Sequence, residues 1–455
     1  MVETPSKAVS DFRIFQRNAQ GYAEVEFSGV LPADKPGGAD VYARVLLEDD
    51  NSVVLPWKQC ERDGRAWRLA SALREGGLYR FEACALVPDR PITMIEWTPR
   101  VGIARHVGVG EVFMLAGQSN MAGYGRDAAY DPAELGVHLY ANDGMWKIAS
   151  HPLNDSCGSI YPETLEESSG TSPALAFGRT MRRRLGVPIG LAQASKGATS
   201  LSEWNPAEDG ALFRSALKRW LTAGPASGVL WYQGCSDAHG ERAATYLERF
   251  TAMVAAWRAA MGDIPFMTVQ LNRWTGVGAQ GDASDKGWGQ VREAQRQAAR
   301  TIPGVYVVPA MDLAMSDMIH NSSGSNVILG ERMARAMLGA MRGAPEYAPD
   351  VIGAEYADER TVLLRFRPED DVIAHEGFAD GFDVEDERGL AACVKAETVA
   401  DGLRLTVERD YTMPARVNGM WRRTPPPALP RGRYGVPMLG FYGVEVDARG
   451  ERRPR

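Results

Sequence analysis

The chain changes its hydrophobic rhythm twice. Up to about residue 105, short alternating runs such as Ala23-Glu24-Val25-Glu26-Phe27 and Leu78-Tyr79-Arg80-Phe81-Glu82-Ala83 are separated by turn clusters such as Ala33-Asp34-Lys35-Pro36-Gly37-Gly38. Alternation with period two, broken by Gly and Pro, predicts half-buried strands of a small β-sandwich. From about 106 the runs become continuous. Val112 to Ala116 is almost unbroken apolar sequence, and similar runs recur at Val187 to Ala192, Val229 to Tyr232, Phe266 to Leu271 and Val305 to Val308. Such runs fit strands buried on both faces.

Helical segments fall between those runs. One starts at Ser172-Pro173, with serine as N-cap and proline in the first turn, keeps Leu175, Phe177, Met181 and Leu185 on one broad face, and stops at Gly186. Others are expected at about 211–221, 241–261, 290–300 and 327–341. Repeated βα units predict a five-stranded parallel sheet covered on both faces, a flavodoxin-like three-layer α/β domain. A long stretch between the first strand and Gly170 reads as irregular, and loops of that length are usually functional. Pro345 and Pro349 mark a second boundary. Beyond them Val362 to Phe366, Phe382 to Val384 and Leu403 to Val407 read as strands, while Thr424-Pro425-Pro426-Pro427 fits neither helix nor central strand. The expected organisation is a β-sandwich at 1–105, an α/β domain at 106–342 and a second β-sandwich at 343–455.

Length and composition agree with this division, since 455 residues predict about two to four domains. With 45% hydrophobic and 24% charged residues, a sizeable core is expected. A net charge of −7 argues against nucleic acid or an anionic membrane as the main partner. The opening Met-Val-Glu-Thr-Pro-Ser-Lys has no apolar stretch of a signal peptide, which favours the cytoplasm, though a trimmed secreted form would look the same. Cys60, Cys84, Cys157, Cys235 and Cys393 are scattered, without CxxC spacing, and suggest neither a disulfide framework nor a metal site.

The candidate chemistry lies at the ends of the buried runs. The first stops on Gly117-Gln118-Ser119-Asn120, placing a serine where open α/β sheets hold ligands; the alternative is a serine that caps the next helix. A nucleophilic serine needs a base, and the base needs an orienting acid. Asp317-Met318-Ile319-His320 follows the fifth run, and an Asp three residues before a His on one turn can reach Nδ1 and leave Nε2 free. The alternative is a capping aspartate beside a surface histidine. Oxyanion donors are sought after the second and third runs, at Gly197 and at Gln233; the alternative for each is a tight βα turn.

Together these blocks resemble the SGNH-hydrolase superfamily, specifically the sialate O-acetylesterase-like branch that includes carbohydrate esterase family six. The resemblance is carried by Gly117-Gln118-Ser119-Asn120-Met121, Gly197 with Trp204, Trp231-Tyr232-Gln233-Gly234, the Val291-Arg292-Glu293-Ala294-Gln295 segment and Asp317-x-x-His320, and it spans roughly 111–335. It implies a serine esterase acting on O-acetylated carbohydrates without metal or cofactor. Ser119 would be the nucleophile, His320 the base and Asp317 its orienter. Ser119 and Gly197 N–H groups with the Gln233 amide would form the oxyanion hole, and Gln118, Asn120 and Trp204 would line the substrate site. One departure stands out: the family usually carries glutamate after Gln-Gly, and here Cys235 takes its place. Either Asp317 orients the histidine alone, or Asp237 substitutes, or activity is weak. Sialic acid, acetylated xylan, a non-sugar ester and a non-catalytic sugar-binding role all remain open as readings. Oligomeric state is not legible.

Overall fold

The computed structural model describes residues 4–448 except 89, 167–168, 277–281, 345–347, 368–377, 401, 427 and 433–434. Pro345 and Pro427 therefore lie outside the described residues.

Seven strands precede the α/β region: β1 (Ile14–Gln16), β2 (Tyr22–Val30), β3 (Asp40–Leu47), β4 (Val53–Gln59), β5 (Glu61–Asp63), β6 (Ala66–Arg74) and β7 (Gly76–Leu86). The sheet β2-β6-β5 faces the sheet containing β3, β4 and β7. Phe27, Trp67 and Leu69 from one meet Val41, Phe81 and Val107 from the other in a common core. Strands β2 and β6 show the inward apolar, outward polar alternation that the sequence pattern requires.

The sandwich does not end at 105. Strand β8 runs unbroken from Arg100 to Gly117, 18 residues or about 60 Å at the usual strand rise. Its first half pairs with β7. Its second half pairs with β11 (Ile189–Gln193) and β12 (Gly228–Tyr232) as the centre of the parallel sheet. Pairing with β7 ends at Val109 and pairing with β11 begins at Glu111. His106, just before, has φ of 57°, and its backbone N–H and ring Nδ1 both meet the Glu48 carboxylate.

The parallel sheet continues through β13 (Phe266–Gln270) and β14 (Val305–Pro309), giving the order β11-β8-β12-β13-β14. Numbered by sequence within the domain this is the 2-1-3-4-5 order of a flavodoxin-like sheet. Four of the five expected strands are thus present within a residue or two, and the first, expected at Val112 to Ala116, is the end of the longer β8. The stretch expected to be irregular holds one more hairpin, β9 (Val137–Tyr140) and β10 (Trp146–Ile148), with β9 parallel to β11 at the sheet edge.

Eight helices are described here: α1 (Ser119–Ala122), α2 (Pro173–Leu185), α3 (Leu201–Trp204), α4 (Ala211–Ala223), α5 (Gly240–Ala244), α6 (Tyr246–Met261), α7 (Asp282–Thr301) and α8 (Ser323–Met341). Helix α2 begins as its sequence dictates, with the Ser172 side chain accepting from the Ala174 N–H. The segment expected as one helix over 241–261 breaks at Thr245 into α5 and α6.

The C-terminal region corrects the expectation of a second sandwich. Strands β15 (Asp350–Asp358), β16 (Thr361–Arg367), β17 (Phe382–Asp386), β18 (Gly389–Val399), β19 (Gly402–Val407), β20 (Arg416–Gly419) and β21 (Phe441–Asp447) close into a barrel. Closure comes from a parallel pairing of β15 with β21, which joins the first and last strands and removes the open edges a sandwich keeps.

The barrel is joined to the α/β region by the fully buried Arg292 of α7. Its guanidinium donates to the carbonyls of Leu271 and Asn272 on one side and of Met420, Trp421 and Arg422 on the other. Burial pulls the Arg292 pKa down to about 9. An unsatisfied buried acceptor costs about 1–3 kcal/mol, so Arg292→Met is expected to destabilise the protein by about 3 kcal/mol or more. Guanidinium unfolding of the purified variant measures this.

Candidate active site

The parallel strands place the carboxyl ends of β8, β11, β12, β13 and β14 along one edge, and the order in which successive strands are added reverses beside β8. That is where open α/β sheets bind ligands. Gly117 ends β8 with φ of 122°, and a Cβ there would stand 2.4 Å from the Tyr232 carbonyl oxygen, so only glycine lets the chain turn this close to β12. The turn delivers Ser119 to the first position of α1, almost buried at 7% exposure. Its backbone N–H finds no protein acceptor among the described residues.

The segment after β14 brings the other two groups. Ser119 Oγ lies 2.8 Å from His320 Nε2, and His320 Nδ1 lies 2.7 Å from Asp317 Oδ2. The other Asp317 oxygen accepts from the backbone N–H groups of Ile319 at 2.9 Å and His320 at 2.8 Å, so the carboxylate both closes the turn and holds the ring. Burial works to raise the Asp317 carboxyl, but the His320 bond and the two backbone donors outweigh it and hold the group below its ordinary range. Tyr124 stacks on the His320 ring at 4.8 Å between centroids. Tyr124 was not singled out by sequence reading. Its only signal is its place five residues after Ser119, in the same turn-rich block.

Gln118 and Asn120 brace the nucleophile rather than open toward a ligand. Gln118 Oε1 accepts from the Gly234 N–H at 3.0 Å. Asn120 donates to the Ile319 carbonyl at 3.1 Å and accepts from the Asn321 N–H at 3.1 Å, clamping the histidine loop to the serine turn. Asn272 adds a second bond to the same Ile319 carbonyl, at 2.9 Å.

The sequence expectation for Gln233 and Trp204 is corrected. The Gln233 amide donates to the Thr199 carbonyl at 3.1 Å and to Asp237 at 2.6 Å, so both of its hydrogens are occupied away from Ser119. Trp204 is fully buried, edge-on to Trp231 and against Trp257, as a core residue. Trp288 is buried too, and Trp274 stacks on it with the Arg423 guanidinium 5.0 Å from its ring centroid. A Cβ on Gly197 would come 2.5 Å from Glu166 Oε1 and 3.2 Å from the hydroxyl of Tyr124, the ring stacked on His320.

Asp237 is fully buried and accepts from Leu201 N–H, Gln233 and Arg249, which ties it to α3 and α6. Burial pushes the Cys235 thiol up to about 12, so it stays protonated near neutral pH. A protonated thiol neither attacks an ester nor stabilises an imidazolium. Cys235→Ser is accordingly expected to leave kcat within about twofold of wild type, inside the scatter of a substitution that touches no reacting group. Steady-state kinetics on an acetyl ester measures it.

No group of three or more His, Cys, Asp or Glu side chains with metal-binding geometry occurs among the described residues. None of the described helices is long and apolar enough to cross a membrane.

A family model for "Carbohydrate esterase, sialic acid-specific acetylesterase" matches residues 109–339, just over half of the chain and all of the blocks described above. The chain belongs to this family. A family member's resemblance extends to a probable carbohydrate esterase from Arabidopsis thaliana, 27% identical over 252 residues, which cover 50% of this chain and 90% of the plant protein. The crystal structure of a carbohydrate acetylesterase from Xanthomonas citri superposes with a TM-score of 0.68 at 21% identity, covering 96% of this chain and 98% of that one. At that identity the likeness speaks for the fold, and it takes in the N-terminal strands and the C-terminal barrel as well as the family's α/β region.

Proposed function

We propose that this esterase hydrolyses O-acetyl esters of carbohydrates, sialic acid or other acetylated sugars, through an acyl-enzyme on Ser119. The observation that carries the reading is the continuous path from Ser119 Oγ to His320 Nε2 at 2.8 Å and from His320 Nδ1 to Asp317 at 2.7 Å. That is the serine, base and acid relation of acyl transfer, reached here from the ends of two strands.

The chemistry follows from those positions. Oγ attacks the acetyl carbonyl carbon while Nε2 takes its proton. The negative charge that develops on the carbonyl oxygen faces the N–H groups of Ser119 and Gly197. Collapse breaks the bond to the sugar oxygen, which leaves with the proton from His320, and acetyl-Ser119 remains. Water then gives a proton to Nε2 and attacks the acyl carbon, and acetate departs as Oγ is reprotonated. Asp317 remains ionised throughout and stabilises the imidazolium in both halves. Asp317 alone serves as orienter, because Asp237 and Cys235 are directed elsewhere. The two β regions shape the cleft and supply no reacting group.

The test is release of acetate from a panel of acetylated sugars, acetylated xylan and simple esters, with Ser119→Ala as control. Serine-dependent release from at least one sugar supports the reading. Sugar binding with no release from any ester sinks it and leaves a carbohydrate-binding protein on an esterase fold.

A further inference from the structure

One of the two oxyanion donors is already engaged. The Gly197 N–H donates to Oε1 of Glu166, a residue from the stretch between β10 and α2. The contact is built from behind by a run of buried polar groups. Arg219 donates to Asn142 Oδ1 at 2.7 Å, Asn142 donates to Asn154 Oδ1 at 2.7 Å, and Asn154 donates to the second oxygen of Glu166. Arg219 and Asn142 are fully buried and Asn154 nearly so. The Glu166 backbone is fixed as well, its N–H donating to Ser156 Oγ at 2.8 Å. Lys196 sends its ammonium to the Leu165 carbonyl rather than to the Glu166 carboxylate. Burial raises the Glu166 carboxyl above its ordinary range, the Gly197 N–H and the Asn154 amide acting against that rise.

A carboxylate on this donor has the shape of the acetate product, and on the assignment of Gly197 as an oxyanion donor its oxygen takes the place of the acyl oxygen. We propose that Glu166 is a specificity-determining residue: it fills the oxyanion position in the resting enzyme, and a substrate reacts only after displacing it. This rests on the acetylesterase reading above. An ester that binds only the open form has its apparent affinity reduced by the fraction of open form. A sugar ester has remote hydroxyls whose contacts can drive the displacement, whereas a small activated acetate has none. Glu166 therefore selects acetylated sugars over simple acetates.

The experiment compares wild type, Glu166→Ala and Glu166→Gln by three readings: kcat/KM on an aryl acetate, kcat/KM on an acetylated monosaccharide, and the rate at which an organophosphonate ester labels Ser119. If the filled form makes up about nine-tenths of the resting population, Glu166→Ala raises labelling and aryl acetate turnover roughly tenfold. The sugar ester changes much less, so the preference for sugar collapses. Glu166→Gln, uncharged but still able to keep Asn154 company, gives a smaller rise in the same direction. It carries the test if the alanine variant has a lowered Tm. Labelling and aryl turnover that stay at wild-type values in both variants overturn the proposal while leaving the esterase intact. A parallel fall on both substrates also overturns it, making Glu166 a ligand for the reacting ester. Absence of labelling and of acetate release in all three proteins overturns the acetylesterase reading, and this proposal with it.

Discussion

Replacing Ser119 by alanine is expected to lower kcat on acetyl esters by roughly 10⁵–10⁶-fold, the scale reached when the nucleophile of a serine triad is removed. Ser119 is nearly buried at the start of α1, and alanine fits there without strain, so the unfolding midpoint should hardly move. The loss would therefore report chemistry and not folding. Labelling gives an independent reading. An organophosphonate ester should add one adduct mass to the wild-type protein at Ser119 and none to the variant. Turnover that survives in Ser119→Ala, or an adduct at another residue in the wild type, would move the nucleophile elsewhere.

Asp317→Asn is expected to lower kcat by roughly 10²–10⁴-fold, since a misoriented histidine in the serine-protease template costs about 10⁴. KM should change far less, because Asp317 touches the base and not the ester. The amide preserves the turn's shape but cannot offer Nδ1 the same charged acceptor, so the ring loses its tautomer and the imidazolium its counter-charge. Asp237→Asn is the internal comparison. Asp237 ties α3 to α6, so its loss should appear in the unfolding midpoint more than in kcat. Retained activity in Asp317→Asn together with abolished activity in folded Asp237→Asn would reverse the assignment. The carboxyl of Asp317 is depressed in the fold. Its contribution to stability is thus present above the ordinary aspartate range and fades as pH falls through the lowered value.

The five central strands and their order were legible because each is a short apolar run followed by a helix-period segment, and right-handed βα crossovers leave few alternatives. Ser119, Asp317 and His320 were legible for the same reason: they follow buried runs, and Asp317 sits one turn from its partner. Sequence spacing says nothing about rotamers, however. Gln233 follows β12 as expected, yet its amide turns to Asp237 four residues later. Trp204 has the composition of a sugar platform, but two neighbouring tryptophans make a better site for it in the core. The hairpin β9–β10 was missed because a four-residue strand carrying a buried His138 lacks the apolar run that marks the others. Barrel closure was missed because alternation gives strands, not partners, and β15 meets β21 only across the whole length of the domain. Glu166 lay in a stretch without period. It is recognised only when Gly197 is brought beside it.

The continuity of β8 bears on how this protein comes apart. The backbone that ends at the nucleophile begins as a sandwich strand, with no linker between the two uses. Cutting the chain at 105 and 106 would leave the sheet's middle strand without the partners that β7 gives its first half, and strip β7 in return. The sandwich and the α/β region should consequently melt in one transition, with β8 amides among the slowest to exchange with solvent. The seven-stranded barrel is fastened to the α/β region by more than Arg292: Arg296 and Arg300 of α7 bind Asp350 of β15, and Gln270 pairs with Gly440 in both directions, so it should open no more easily than the rest.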